Sequence, residues 1–210
     1  MNNSINKIGY LSGVIAFAAT VIFYIVQMLQ VWGFLTYPWD EILIYGFSQC
    51  ITLPFLIEML ALHYVVRPEK KFWSHGALLF TTIYAVFVTS NYVVQLATVI
   101  PMTLKGTDDA IQVLKQTPHS LFWDFDAIGY IFMGLATLMA YPIFEKQGFQ
   151  KWVGYSLVAH ALTTPLIMFV YFYPDFSNSL LLLATPWAIT APWAMLMLAL
   201  YFKKYQSIQS

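Results

Sequence analysis

IGYLSGVIAFAATVIFYIVQMLQVWGFLTYPW, residues 8–39, contains no Asp, Glu, Lys or Arg. A spanning helix needs about 20 mostly apolar residues. This run exceeds that and is far longer than the apolar part of a signal peptide, so it reads as a first membrane helix rather than a cleaved leader. Working outward from it, five more apolar stretches follow. The six expected spans are Tyr10–Thr36, Glu41–Val66, Ser74–Met102, Ser120–Phe144, Trp152–Tyr173 and Ser179–Phe202. Lipid leaves backbone polar groups unsatisfied, so the stretches are expected to form one all-α bundle of six transmembrane helices, a single domain over residues 1–210.

Composition agrees. The chain is 60% hydrophobic, 18% aromatic and 10% charged, where a soluble domain has about 25% charged residues. The bilayer is therefore its first partner. A net charge of zero points away from nucleic acid. The single cysteine, Cys50, excludes an internal disulfide.

Lys and Arg give the orientation. Lys7, Arg67, Lys70, Lys71, Lys146, Lys151, Lys203 and Lys204 fall on one side of the six spans; Lys105 and Lys115 fall on the other. The richer side is expected to be cytoplasmic and to hold both termini, with the chain in the cell membrane. Between helices three and four, Thr107, Asp108 and Asp109 resemble a helix start, with acids at its positive end. Apolar Ala110, Ile111, Val113 and Leu114 suggest a short helix lying on the outer surface. Thr117 and Pro118 read as N-cap and N1 of helix four.

Polar groups inside a membrane face protein or water. At about 1.5 Å per residue, Gln27 and Gln30 lie roughly 12–17 Å below Pro38. By the same rise, Asn91 and Gln95 lie roughly 9–15 Å below Pro101, and Asp124 and Asp126 roughly 10–14 Å below Thr117. Asp124 and Asp126 point about 200° apart on a helix, and Asp126 shares its stripe with Tyr130. Gln27, Asn91, Gln95, Asp126 and Tyr130, with Trp187 as an aromatic wall, are expected to line a polar cavity open to the outside. The same residues also suit plain interhelical hydrogen bonding.

In the inner half, Glu58 is about 13 Å from Arg67 and His160 about 12 Å from Trp152 along their helices. Equal depth permits an acid–base pair if the two helices are neighbours. Pro54, Pro165, Pro186 and Pro192 fall inside the expected helices, where each removes a backbone bond and bends its helix.

Residues Asn91-Tyr92-Val93-Val94-Gln95, Pro118-His119-Ser120-Leu121-Phe122, Asp126-Ala127-Ile128-Gly129-Tyr130 and Met133-Gly134-Leu135-Ala136 form a further pattern. It resembles an uncharacterised family of small six-helix bacterial integral membrane proteins. The resemblance implies a membrane location and fold, an acidic side chain at position 126, and no reaction.

No His, Cys or carboxylate set has metal-ligand spacing, no phosphate loop appears, and neither cofactor nor metal is expected. The functional expectation is binding or transport of a small, partly apolar molecule at the outer polar layer. The alternatives are an intramembrane enzyme that uses Glu58 and His160 on a lipophilic substrate, and a non-catalytic membrane partner subunit. The absence of a convergent catalytic set disfavours the enzyme.

The orientation has a direct test. With Cys50 removed, cysteine beside Asp109 or Asp175 is expected to react with an impermeant thiol reagent in intact cells, and cysteine beside Lys70 or Lys146 to stay unlabelled. Labelling beside Lys70 contradicts the orientation.

Overall fold

A computed structural model describes residues 2–177 and 179–208, with side chains for all of these except Asn2, Asp108 and 205–208. The α-helices are α1 (Asn2–Val31), α2 (Trp39–Val65), α3 (Lys71–Val94), α4 (Ile100–Leu104), α5 (Leu121–Ala140), α6 (Gly148–Ala161), α7 (Thr164–Phe172) and α8 (Thr185–Ile208). Short 3-10 turns and one π-helical turn join several of them into longer rods. Six helical spans of 23 to 37 residues are long and apolar enough to cross a membrane. Even the shortest reaches about 35 Å, more than the ~30 Å hydrocarbon layer. The protein is thus an all-helical, multi-pass membrane protein.

The spans close into a ring. Helix α1 packs on α2 and α8, α2 on α3, α3 on α5, α5 on α6 and α7, and α6 on α8. Phe55, Met59, Met133, Leu157, Met195 and Leu198 fill the interior. Ile15, Ile25, Leu53, Val86, Phe169 and Ile189 are exposed around the outside, where lipid is their natural solvent. One end of the ring gathers the start of α1, the last turns of α8 and two loops. There Arg67 pairs with Glu145, Lys70 Nζ donates to the Pro142 carbonyl at 2.5 Å, Lys203 lies over the Tyr10 ring, and Lys204 lies over that of Phe149.

Helix boundaries differ from the sequence reading for local reasons. Helix α1 runs Asn2–Val31 rather than 10–36. Gly33, at φ +75°, ends it: Gly33 N–H donates to the Gln30 carbonyl and Phe34 N–H to that of Leu29. This is a Schellman close, which apolar residues beyond the glycine do not reveal. The fifth span breaks at Leu162–Thr163, and Pro165 sits in the first turn of α7. A proline ring collides with the carbonyl four residues back, so the helix restarts before it. Likewise Pro186 opens α8, which starts at Thr185; Pro54 and Pro192 are the prolines inside helices. The Ser120 hydroxyl, not that of Thr117, caps α5, accepting from Trp123 N–H at 3.2 Å after a left-handed turn at His119. The expected surface helix is instead a 3-10 segment, Asp108–Leu114, with Ile111 non-helical and buried. The Asp108 side chain lies outside the described residues.

Close approach of α5 and α7 depends on Gly134. A Cβ there would stand 1.8 Å from Thr164 Oγ1 and 3.1 Å from Thr164 Cβ. Gly134→Ala is therefore expected to lower stability by about 1–3 kcal/mol through overpacking. Gly46→Ala, where a Cβ meets open space, is expected to leave it unchanged or higher. Thermal melting in detergent compares the two.

Candidate functional site

The Ser120 cap sets the phase of α5, and that phase decides which aspartate is buried. Asp124 is exposed, whereas Asp126 is 4% exposed and points into the ring. Its carboxylate meets side chains of two other spans. Tyr92 of α3 donates its hydroxyl to Oδ1 at 2.9 Å, and Tyr171 of α7 donates to Oδ2 at 2.5 Å. Asn91 Nδ2 reaches Oδ1 at 3.5 Å, and the Tyr130 hydroxyl is 3.3 Å from that of Tyr92. Because Tyr92 gives its proton to the carboxylate, Tyr130 donates to Tyr92. The result is one acceptor group held by neutral donors, an arrangement stronger than the same bonds in water.

A cover closes the site from one side. Gln95 Nε2 donates to the Leu114 carbonyl at 2.8 Å, and Gln116 N–H donates back to Gln95 Oε1 at 3.3 Å. Asn91 Nδ2 donates to Gln116 Oε1 at 3.0 Å. Gln95 opens the π-helical turn Gln95–Val99, just ahead of Pro101. Such turns interrupt α-helices where a side chain is redirected. Here the redirected side chain is one that holds the cover.

The walls are aromatic. Tyr45 packs on Tyr92 at 5.6 Å between ring centres, Trp123 on Tyr171 at 4.4 Å, and Trp187 on Tyr130 at 5.1 Å. Trp187 also meets Tyr24 and His160, at 5.7 and 6.2 Å. Beyond Tyr24 a groove of about 380 Å³ opens on the outer surface of α1 and α8, lined by Val21, Ile25, Met28, Leu29, Trp32 and Ala188 as well. Two rings, Trp187 and Tyr130, thus separate this lipid-side groove from the Asp126 cluster.

Asp126, Asn91, Gln95 and Tyr130 come together, and Trp187 stands behind Tyr130. They do not line an open cavity: Asn91 and Gln95 are 0% and 1% exposed, because the segment around Leu114–Gln116 uses their hydrogen bonds. Gln27 belongs elsewhere. Its Nε2 donates to Gln30 Oε1 at 2.8 Å, and Gln30 Nε2 to Asp40 Oδ2 at 2.9 Å, forming a network of α1 and α2. The Glu58–His160 pair is not formed. Helix α2 touches α1 and α3 while α6 touches α5 and α8, so equal depth puts the two residues in helices that are not neighbours. Neither Glu58 oxygen has a partner among the described residues, and His160 Nδ1 is instead 3.3 Å from Thr190 Oγ1. Tyr171 and Gln116 carry no sequence signal of their own, and Tyr92 enters only as part of the family pattern. Tyr171 sits in an aromatic run before Pro174 that reads as an interfacial belt, and Gln116 sits in a loop.

A family model described as a domain of unknown function, DUF4386, matches residues 41–202. The chain belongs to the DUF4386 family. The DUF4386 match begins in α2 and ends in α8, so it takes in the whole Asp126 cluster and its cover while leaving out α1 and Gln27. No curated protein and no solved structure matches the chain significantly.

Tyr171→Phe removes the shortest bond to the carboxylate and is expected to cost about 1–3 kcal/mol, since a buried acceptor then lacks a donor. Asp124→Asn is expected to change stability by less than about 0.5 kcal/mol, as an exposed substitution. Melting temperatures in one detergent compare them.

Proposed function

We propose that this protein lies in the cell membrane with both termini in the cytoplasm, and binds or passes a small, partly apolar molecule at the Asp126 cluster. The charge asymmetry of the loops supports the orientation: the bundle end that gathers Arg67, Lys70, Lys203 and Lys204 is the positive one. The cluster then sits toward the outer face, under the segment around Leu114–Gln116.

One observation carries the ligand reading. A buried carboxylate is ringed by tyrosines and closed by a segment that three amide hydrogen bonds hold in place. Amide bonds of this kind are each worth only about 0.5–1.5 kcal/mol net, so a ligand bearing hydrogen-bond donors can replace the cover. The aromatic walls would take its apolar part. The groove at Tyr24 and Trp32 offers a lateral approach through lipid, with Trp187 and Tyr130 between it and the carboxylate.

The test is Asp126→Asn, which keeps shape and removes charge. The variant is expected to fold and insert normally but to lose binding or uptake across a panel of small amphipathic compounds, while Asp124→Asn retains it. Collapse of Asp126→Asn, with binding lost in a stable Asp124→Asn, reverses the assignment of the site face.

A further inference from the structure

Helix α2 ends at Val65, so the carbonyls of its last turn lose their helical donors. One of them, that of His63, accepts instead from Lys71 Nζ across the turn between α2 and α3. This contact holds the ammonium at the head of a groove of about 370 Å³, lined by His63 of α2 and by Lys71, Phe72, His75, Gly76 and Leu79 of α3. The Ser74 hydroxyl donates to the Lys71 carbonyl at 3.1 Å, so toward His63 Nδ1, 3.0 Å away, it accepts. That bond fixes the His63 ring. The His75 ring stands 5.6 Å from it between centres, inclined at 68°.

Lys71, His75 and Leu79 are four residues apart and share one stripe of α3. The stripe runs about 12 Å from the start of the span inward, passing from an ammonium through an imidazole to an aliphatic side chain. Phe72 and Leu79 are 72% and 53% exposed on the lipid-facing surface. The groove is thus charged at the membrane surface and apolar deeper in. An ammonium has three donors, and the His63 carbonyl takes one. None of the lining residues is acidic. The other cations of this turn are engaged, Arg67 with Glu145 and Lys70 with the Pro142 carbonyl, whereas Lys71 has no carboxylate partner among the described residues. A metal ion does not suit the groove. An ammonium stands beside the two imidazoles, and among the described residues no group of three or more His, Cys, Asp or Glu could hold one.

We propose that this groove binds an anionic phospholipid, with the phosphate between Lys71 and His75 and an acyl chain along Leu79. The phosphate accepts from the remaining Lys71 N–H groups and from the His75 ring N–H, charge-assisted bonds stronger than neutral ones. Basic pockets between membrane helices take lipid headgroups in this way. A zwitterionic headgroup brings a cation of its own against Lys71, so a net negative headgroup is preferred. Free phosphate has nothing to place along Phe72 and Leu79. This site does not depend on the ligand reading of Asp126, nor on which side of the membrane this end of the bundle faces.

The test uses the full chain in mixed micelles of detergent and phosphatidylcholine, titrated with phosphatidylglycerol. A ligand that binds the folded state raises the melting temperature, and mass spectrometry of the intact protein counts the lipid retained. Phosphatidylglycerol is expected to be retained and to stabilise; further phosphatidylcholine, or inorganic phosphate at the same concentration, is not. His75→Glu, at an exposed position, and Lys71→Gln are each expected to weaken phosphatidylglycerol binding about tenfold. Lys146→Gln, exposed at the same end of the bundle but outside the groove, is expected to bind as the parent does. Lys71→Gln also frees the His63 carbonyl, so if it does not fold, His75→Glu carries the test alone. Stabilisation by phosphatidylcholine or by inorganic phosphate equal to that by phosphatidylglycerol overturns the proposal. So does unchanged binding in His75→Glu, or a loss in Lys146→Gln as large as in His75→Glu.

Discussion

Hydrocarbon offers no hydrogen bonds, and that single deficit shapes this molecule. Each backbone group must be satisfied within its own helix, which dictates six rods. Each side-chain polar group must then find a partner on another rod or leave the membrane. The ring of six spans turns most such groups inward, and Asp126 finds donors from α3 and α7 at once. The carboxylate thereby ties three spans together.

The sequence was most legible where the signal is a sum over many residues. Six spans emerge from length and hydropathy because each draws on more than 20 positions. The inward face of α5 was legible too, since Asp124 and Asp126 cannot share a face. What hid from sequence reading depends on a single backbone angle or a single neighbour. Gly33 stops α1 eight residues after Ile25 with no change in apolar character, and Ser120 rather than Thr117 caps α5 because His119 turns left-handed.

Partner choice was less legible still, because depth fixes height in the bundle but not position around it. Gln27 and Asp126 lie in the same half of the chain's spans yet serve separate networks. Glu58 and His160 match in depth yet stand in helices that do not pack together. Small residues let particular pairs of helices approach closely. Gly13 of α1 admits Glu58, and Gly134 of α5 admits Thr164. These contacts are pairwise properties, invisible in either helix alone. Tyr171 illustrates the same point, since only its proximity to α5 distinguishes it from the exposed Tyr173 two residues on.

The two buried carboxyl side chains answer the same constraint in opposite ways. Asp126 accepts from three side chains, so its oxygens are saturated and exchange partners only if the surrounding polypeptide shifts. The amide bonds joining Gln95 and Asn91 to Leu114 and Gln116 are the contacts such a shift would break. Glu58 has no hydrogen-bond partner among the described residues, and its carboxyl lies against Gly13 of α1. A saturated carboxylate is suited to trading one set of donors for another, which requires motion of chain. An unsaturated one has no donors to trade. Saturation, more than depth or charge, therefore separates what these two acids are equipped to do.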